Sequence, residues 1–462
     1  YFSSELLLPI VDRDDYLDAF EGRKSPPPAI LLTCAICTYA CLLVKPGDPM
    51  FEKASVTYED VHRILADLAI PLYERNSLVS CISTIQALVL YANYPPLMSN
   101  TNLNWIFAGM AVRMAQDLGL HRQVQASGAD KSNLKRKRVW YSVYVTDRWY
   151  CTIMEKPLAI SDFDCDVDML LTDESKPDED LTIFLNFIKL SKILGEVLRY
   201  MYSARAKKTG YKTHAIEKIV LNLQKVLDDW YSQVPETHKI TEADLKNLAT
   251  YKDLYGNTVK IRQGGPLTVC YHFVIILLHR PFVAMENVDT PFLVQCVERC
   301  IQAANFVTIV SQFINTKSFI HFGWNFACCS VYLTSLIHAF ISFNDDPKLA
   351  SEAKRFFHTT MHKTLKPMMN AAPNGFSMHS FIQNIPNVLE KGSTLKSDLE
   401  QQQNSVQLSE EHGPKPLKTS ENSDWAFNCP EHLFLYDFYP NMGALSSENS
   451  SEVFKNDGNP EY

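Results

Sequence analysis

The chain has 462 residues, of which 46% are hydrophobic and 21% charged, with a formal net charge of −8. This is a globular composition with room for one large domain or two to three ordinary ones. The acidic balance argues against this segment being the part that grips duplex nucleic acid, because such binding rests on basic side chains neutralising phosphate.

Glycine is scarce, at 16 residues, and no alternating run is long enough to suggest a sheet. Apolar residues instead recur at helical spacing. The spacing predicts helices over 29–44, 57–70, 77–93, 102–118, 132–154, 180–206, 213–233, 266–280, 291–315, 321–343 and 347–365. Before the first of these, Pro26-Pro27-Pro28 stops any helix. Pro46-Gly47, Pro95-Pro96, Gly264-Gly265-Pro266 and Asn344-Asp345-Asp346-Pro347 punctuate the rest. The fold class is therefore all-α, a large bundle of stacked antiparallel helix pairs over 1–390.

From 391 to 424 the composition turns to Ser, Gln, Glu and Lys, a polar linker. From 425 to 462 six carboxylates face one Lys. There Trp425, Phe427, Phe434, Tyr436 and Phe438 interleave with acids. Such a tail suits an activation segment, whose charge keeps aromatic rings available to a coactivator groove. It equally suits a strap whose rings dock on the helical body.

The most informative stretch runs from Trp105 to Asp168. Trp105, Ala108, Val112, Ala115 and Leu118 fall on one helical face. Gly119 stands where a helix takes a left-handed stop, and Leu120 is placed for the hydrophobic contact that accompanies it. His121 and Arg122 come next, where positive charge suits the helix dipole. The next helix opens on the basic Lys135–Arg138 turn, after a cap at Asp130 or Ser132. It is then apolar nearly all round from Val139 to Ile153, as a buried helix is. Asp147 and Arg148 inside that run therefore need partners.

Other clusters have plain structural readings. Cys34, Cys37 and Cys41 begin with a metal-like spacing, but no second Cys or His pair lies near to complete a zinc site, so they are read as one packed face of an apolar helix. Asp162, Asp164, Asp166 and Asp168 alternate, yet Val167 and Asp173 stand where a calcium loop wants Gly and usually Glu. They are read as an acidic segment and as first candidates to pair with Lys135–Arg138, itself taken as a solvated face. His121 and His279 are read as helix-end hydrogen-bonding residues. Without a diagnostic nucleophile–base spacing or a phosphate loop, no catalysis and no cofactor are expected of this chain. The twelve cysteines form no secreted-type framework. No signal peptide is recognisable, and 29–44, the nearest thing to a membrane span, falls short of about 18–20 apolar residues. No membrane partner is expected.

Gly119-Leu120-His121-Arg122, Arg138 with Trp140, Asp147-Arg148, Pro157 and the Ile160–Asp168 segment together resemble the regulatory domain of fungal zinc-cluster transcription factors. Thr84-Ile85-Gln86-Ala87-Leu88, then Leu223, Leu227, Trp230 and Pro235, then Leu277-Leu278-His279-Arg280-Pro281-Phe282 with Cys300 and Ala303-Ala304, extend the resemblance over roughly 1 to 345. The chain departs from the pattern at Tyr141 (often Trp), at Glu155-Lys156 (usually Gly-Arg) and at Met169-Leu170-Leu171 (usually containing Leu-Pro). The resemblance implies a nuclear, non-enzymatic regulator of RNA polymerase II genes, open to small-molecule control, with the helical body gating the activation segment. Its implied partners are DNA, coactivators and a second copy of the chain. The chain begins at Tyr1 rather than Met, which reads as a missing natural N-terminus, and the resemblance implies that this part carries a zinc-bearing DNA-binding module. A dimeric scaffold in a DNA-bound assembly and an all-α enzyme are the alternatives.

Overall fold

Strong N-caps start many of the helices. The Asp12, Asp48, Thr213, Thr290, Asn315 and Asp346 side chains each accept a backbone N–H from the first turn beyond them. Pro49, Pro291 and Pro347 occupy the first helical position, where their missing N–H costs nothing. The computed structural model describes residues 2, 6–44, 47–76, 79–94, 102–124, 131–153, 156–170, 180–248, 259–283 and 290–371. None of them lies in a strand, as the sequence predicts. They belong to one unit, within 1–283 and 288–380. The expected linker at 391–424 and the tail residues Trp425, Phe427, Phe434, Tyr436 and Phe438 lie outside the described residues, as does the candidate cap Asp130.

In chain order the helices are α1 Arg13–Phe20, α2 Ile30–Cys41, α3 Pro49–Ala54, α4 Tyr58–Asn76, α5 Ile82–Ala92, α6 Asn102–Asp117, α7 Lys131–Ile153 and α8 Thr182–Val197. Next come α9 Ala204–Thr209, α10 His214–Gln233, α11 Gly265–Val283, α12 Pro291–Ser311, α13 Thr316–Phe322, α14 Cys329–Ile341, α15 Pro347–Thr360 and α16 Lys366–Ala371. Helices close in sequence are neighbours in space: α2 packs on α4 and α5, α5 on α6, α6 on α7, α7 on α8, α8 on α10, α10 on α11, α11 on α12 and α14 on α15.

Three expectations about the helices need correction. Short α1 and α3 escape an apolar-period search because each carries few core residues. Helix α4 continues through Pro71 to Asn76, since one proline removes a single ladder bond. Several predicted helices are interrupted by π turns, at Leu198–Tyr202, Trp324–Cys328 and Met361–Leu365, and Gly323 at φ +120° breaks the predicted 321–343 helix.

Two expectations about burial also change. Cys34 and Cys41 are buried but Cys37 is exposed, so the three do not form one packed face. Nor is 29–44 the nearest approach to a membrane span: Lys260–Val283, Pro291–Ser311 and Trp324–Ile341 are all long and apolar enough by length and composition. In the first and third, 83% of the apolar window is buried inside the protein, so core packing accounts for their composition.

An aromatic knot holds the centre. The Trp149 ring of α7 stacks on Phe187 of α8 at 4.9 Å and approaches Phe326 at 6.1 Å and Phe273 at 6.4 Å. Its indole N–H donates to Ser191 Oγ at 2.8 Å, so its one polar group is satisfied. Phe187 also meets Phe322 and Phe326 at 5.2 and 5.1 Å. The end of α5 is closed by side chains from elsewhere. Asn104 Nδ2 donates to the carbonyls of Tyr91, Ala92 and Tyr94, and Asn325 Nδ2 donates to that of Ala92.

Two buried histidines make this core acid-sensitive. His279 of α11 shares a 2.7 Å hydrogen bond with Gln224 of α10, and His338 of α14 one of 3.0 Å with Thr308 of α12. His279 is thus a buried interhelical contact, not the helix-end group read from the sequence. Burial lowers these imidazoles from 6.5 to about 3 and about 4 respectively. Between those values and 6.5 the unfolded chain binds protons that the folded chain refuses, so stability falls as pH drops below 6.5 and is indifferent to these groups above it. From pH 7 to pH 5 each histidine should cost roughly 2 kcal/mol of stability. Urea unfolding across that range should show the loss, and His279→Gln with His338→Gln should reduce it, leaving the part due to His272, which burial also lowers to about 3. A profile as steep in the double variant as in the parent would refute the assignment.

Candidate functional site

Helix α6 ends in a tight hydrogen-bonded stop. Gly119 lies at φ +63°, its N–H donates to Gln116 O at 2.9 Å, and Leu120 N–H donates to Ala115 O at 2.9 Å. This is the paired closure of a Schellman motif, with Leu120 buried beneath it. Arg136 of α7 donates to the carbonyls of Leu118 and Gly119, at 3.2 and 3.0 Å. A cation therefore sits on the negative end of α6. The imidazole of His121 lies 5.8 Å from the buried Trp140 ring.

The acidic segment pairs with this loop and not with the basic turn. His121 O accepts the N–H groups of Asp166 and Val167 at 3.2 and 3.3 Å. Asp166 Oδ1 accepts Gln123 N–H at 2.8 Å and meets Arg122 Nε at 3.1 Å. The Gln123 N–H and then Arg122 hold its carboxyl below the ordinary range. The Tyr141 hydroxyl donates to Val167 O at 3.2 Å, which gives the departure from Trp at that position a physical use.

The expected partnership between Asp162–Asp168 and Lys135–Arg138 is thus wrong. Lys135 instead meets Asp15 of α1 at 2.9 Å, and hydrogen bonds from Lys24 and Lys135 lower that carboxyl to about 2. Arg138 is buried, so the turn is not a solvated face. The reason is topological: the end of α6 and the first residues of the chain reach this turn before the acidic segment does.

Deeper in α7, Asp147 and Arg148 are 3% and 0% exposed. Arg148 Nη1 donates to Asp147 Oδ2 at 2.8 Å and to Ile160 O at 3.1 Å, and Nη2 donates to Asp162 Oδ2 at 2.8 Å. The guanidinium also lies 4.3 Å over the Tyr144 ring, and Tyr144 OH donates to Asp162 Oδ1 at 2.7 Å. Asp147 in turn accepts the N–H groups of Ala159 and Ile160 at 3.1 and 3.3 Å. Cys151 Sγ donates to Asp147 Oδ1 and to Pro157 O, at 3.6 and 3.3 Å. Asp147, Arg148 and Pro157, all singled out by the sequence, thus border one junction. It clamps the chain after α7 back onto the helix it has just left.

Burial pushes the Asp147 carboxyl up, while Arg148 and the two amides pull it back. Burial likewise disfavours the Arg148 charge, but Tyr144, Asp162 and Asp147 outweigh it and hold the guanidinium above its ordinary range. Arg148 Nε has no hydrogen-bond partner among the described residues. It faces Gly195 of α8, where a Cβ would sit 2.8 Å away. Gly195 is a site residue the sequence reading missed, although a lone glycine inside an apolar helical run signals close approach. Asp162 is the junction's window to solvent, at 34% side-chain exposure, and Arg199 reaches it at 3.7 Å. The arrangement is suited to holding structure: apart from Arg148 Nε, the guanidinium and the Asp147 carboxylate are paired with each other, with Asp162 and with backbone.

Beside the junction, α8 and α10 leave a groove of about 470 Å³ lined in part by Lys192, Glu196, Tyr200 and Lys218. Nothing in the sequence spacing singled it out.

The family model described as the fungal specific transcription factor domain matches residues 1–232. Among curated proteins, the chain is similar to cutinase transcription factor 1 alpha of Fusarium vanettenii, 26% identical over 50% of this chain and 26% of that protein. It is similar to protein STB5 of Saccharomyces cerevisiae, 26% identical over 64% of this chain and 42% of that protein. It is also similar to the transcriptional regulatory protein C530.05 of Schizosaccharomyces pombe, 25% identical over 67% of this chain and 41% of that protein. The chain thus spans between about a quarter and two fifths of the length of these relatives. No solved structure matches it.

Removing one partner of the buried pair strands the other. Asp147→Ala should lower stability by about 3–5 kcal/mol, and Gly195→Ala by about 1–3 kcal/mol through overpacking against Arg148. Chemical denaturation checks both, and a parental midpoint for Asp147→Ala would refute the clamp.

Proposed function

The chain belongs to the fungal specific transcription factor domain family, and from that premise we propose that it is the regulatory body of a zinc-cluster transcription factor acting on RNA polymerase II genes. The observation that carries this reading is the match across 1–232, which includes the whole junction, joined to relatives that are fungal transcriptional regulators. The net charge of −8 supports assigning the DNA contact to a separate basic module, with a six-cysteine zinc cluster, encoded ahead of Tyr1. We assign residues 425–462, with Trp425, Phe427, Phe434, Tyr436 and Phe438, to coactivator contact, because six carboxylates and one Lys interleaved with aromatic residues are the composition of an amphipathic activation segment. The protein works in the nucleus and performs no catalysis of its own.

Small-molecule control, in this reading, needs a ligand that binds one state of the helical body better than another; equal affinity for both would shift nothing. The committed hydrogen bonds of the junction suit it to support that body, and leave ligand contact to surface clefts.

A fusion of residues 1–462 to a foreign DNA-binding module tests the reading. The fusion should raise transcription from a reporter carrying that module's site, and deleting 425–462 should abolish the rise. A folded, nuclear fusion that leaves the reporter silent would sink the activator assignment. The coding sequence upstream of Tyr1 should specify the six-cysteine cluster.

A further inference from the structure

The groove between α8 and α10 combines features that the junction does not use. Its apolar lining comes from Ile193 and Leu223, which are buried, and from Tyr200 and Val226, which remain 39% and 40% exposed. Tyr200 is carried by the π turn Leu198–Tyr202, which interrupts the helical register at the end of α8. Such turns are frequent at functional sites. The volume of about 470 Å³ falls in the range typical of small-molecule sites, roughly 300–1,000 Å³.

The charge of the lining is one-sided. Lys192 and Lys218 are exposed in the groove, and neither ammonium has a carboxylate partner among the described residues. The groove's carboxylate, Glu196, is engaged by Arg199 Nη1 at 3.0 Å. Two cations are thus left facing an apolar trough whose acid is already neutralised.

We propose that this groove binds a small organic anion with an extended apolar body, the body lying on Ile193, Leu223, Val226 and Tyr200 and the anionic group meeting Lys192 and Lys218. Charge complementarity fixes the sign of the ligand, and the lining fixes its apolar character. The proposal deepens the small-molecule reading above and rests on it for regulatory meaning, though not for binding. Arg199 gives the occupied groove a neighbour in the clamp, because its other nitrogen reaches Asp162.

Two fluorescent probes that share a body and differ in charge provide the test on the full chain. Anilinonaphthalene sulfonate carries the anion, and phenylnaphthylamine is its neutral counterpart. The sulfonate should bind saturably and ~10-fold more tightly than the neutral probe, as two modest surface charge contacts allow. Lys192→Gln with Lys218→Gln should erase that preference while leaving the neutral probe's affinity unchanged. Val226→Asp should weaken both probes by at least ~10-fold. All three positions are exposed, so the melting temperature should stay at the parental value in each variant. No saturable sulfonate binding, a preference that persists in the double lysine variant, or parental affinity in Val226→Asp would each overturn the proposal. The two readings fail separately. A silent reporter fusion defeats the regulator while charge-dependent probe binding still stands for the groove. An undiminished sulfonate preference defeats the groove whatever the reporter does.

Discussion

The body of this protein is organised around one guanidinium that never meets water. Arg148 is wholly buried, and isolated burial of such a charge would cost several kcal/mol. Two carboxylates, a backbone carbonyl and an aromatic face meet that cost together. These partners come from different pieces of chain: Asp147 from α7, Ile160 and Asp162 from the segment after it, and the space for the side chain from Gly195 of α8. The charge therefore fixes where the chain goes after α7. It also sets how closely α8 can approach.

The same helix ties the matched family region to the helices beyond it. The family model ends at residue 232, yet the Trp149 ring packs on Phe273 and Phe326 from beyond that boundary. Asn325 closes the end of α5, and Leu7 N–H donates to His321 O at 3.1 Å. These long-range contacts share one core, in which Trp149, Phe187 and Phe326 are almost fully buried. A boundary drawn by sequence similarity is not a boundary in the packing.

The features legible in the sequence are local ones. The stop at Gly119 and Leu120 depends on a left-handed residue and on hydrogen bonds within one helical turn, so composition reveals it. The need of Asp147 and Arg148 for partners comes from their apolar surroundings. Which partners they find does not: Asp162 lies 14 residues on from Arg148, and the Asp15 that meets Lys135 lies 120 residues back. Pairing over such separations is decided by packing, so the acidic segment meets Arg122 and Arg148 and not the basic turn. His279 misled for a similar reason, since its buried partner Gln224 comes from another helix. The groove had no signal at all, because it exists only where α8 and α10 lie side by side.

Burial also separates family identity from individual function. Leu120, Arg138, Trp140, Asp147 and Arg148 are each at most 5% exposed. A ligand could reach them only by opening the core they hold shut. Lys192, Lys218, Tyr200 and Val226 are exposed, and changing them disturbs no buried pair. Residues of the first kind can define a shared scaffold, while residues of the second kind can differ between relatives without loss of the fold. Arg199 stands between the two sets. It binds Glu196 on the groove wall with one nitrogen and reaches Asp162 of the clamp with the other. An anion bound at Lys192 and Lys218 would lie close to Glu196 and compete with it for the surrounding positive charge. The balance at Arg199 would then shift, and Asp162, the part of the clamp in contact with water, is the first group that would register the change.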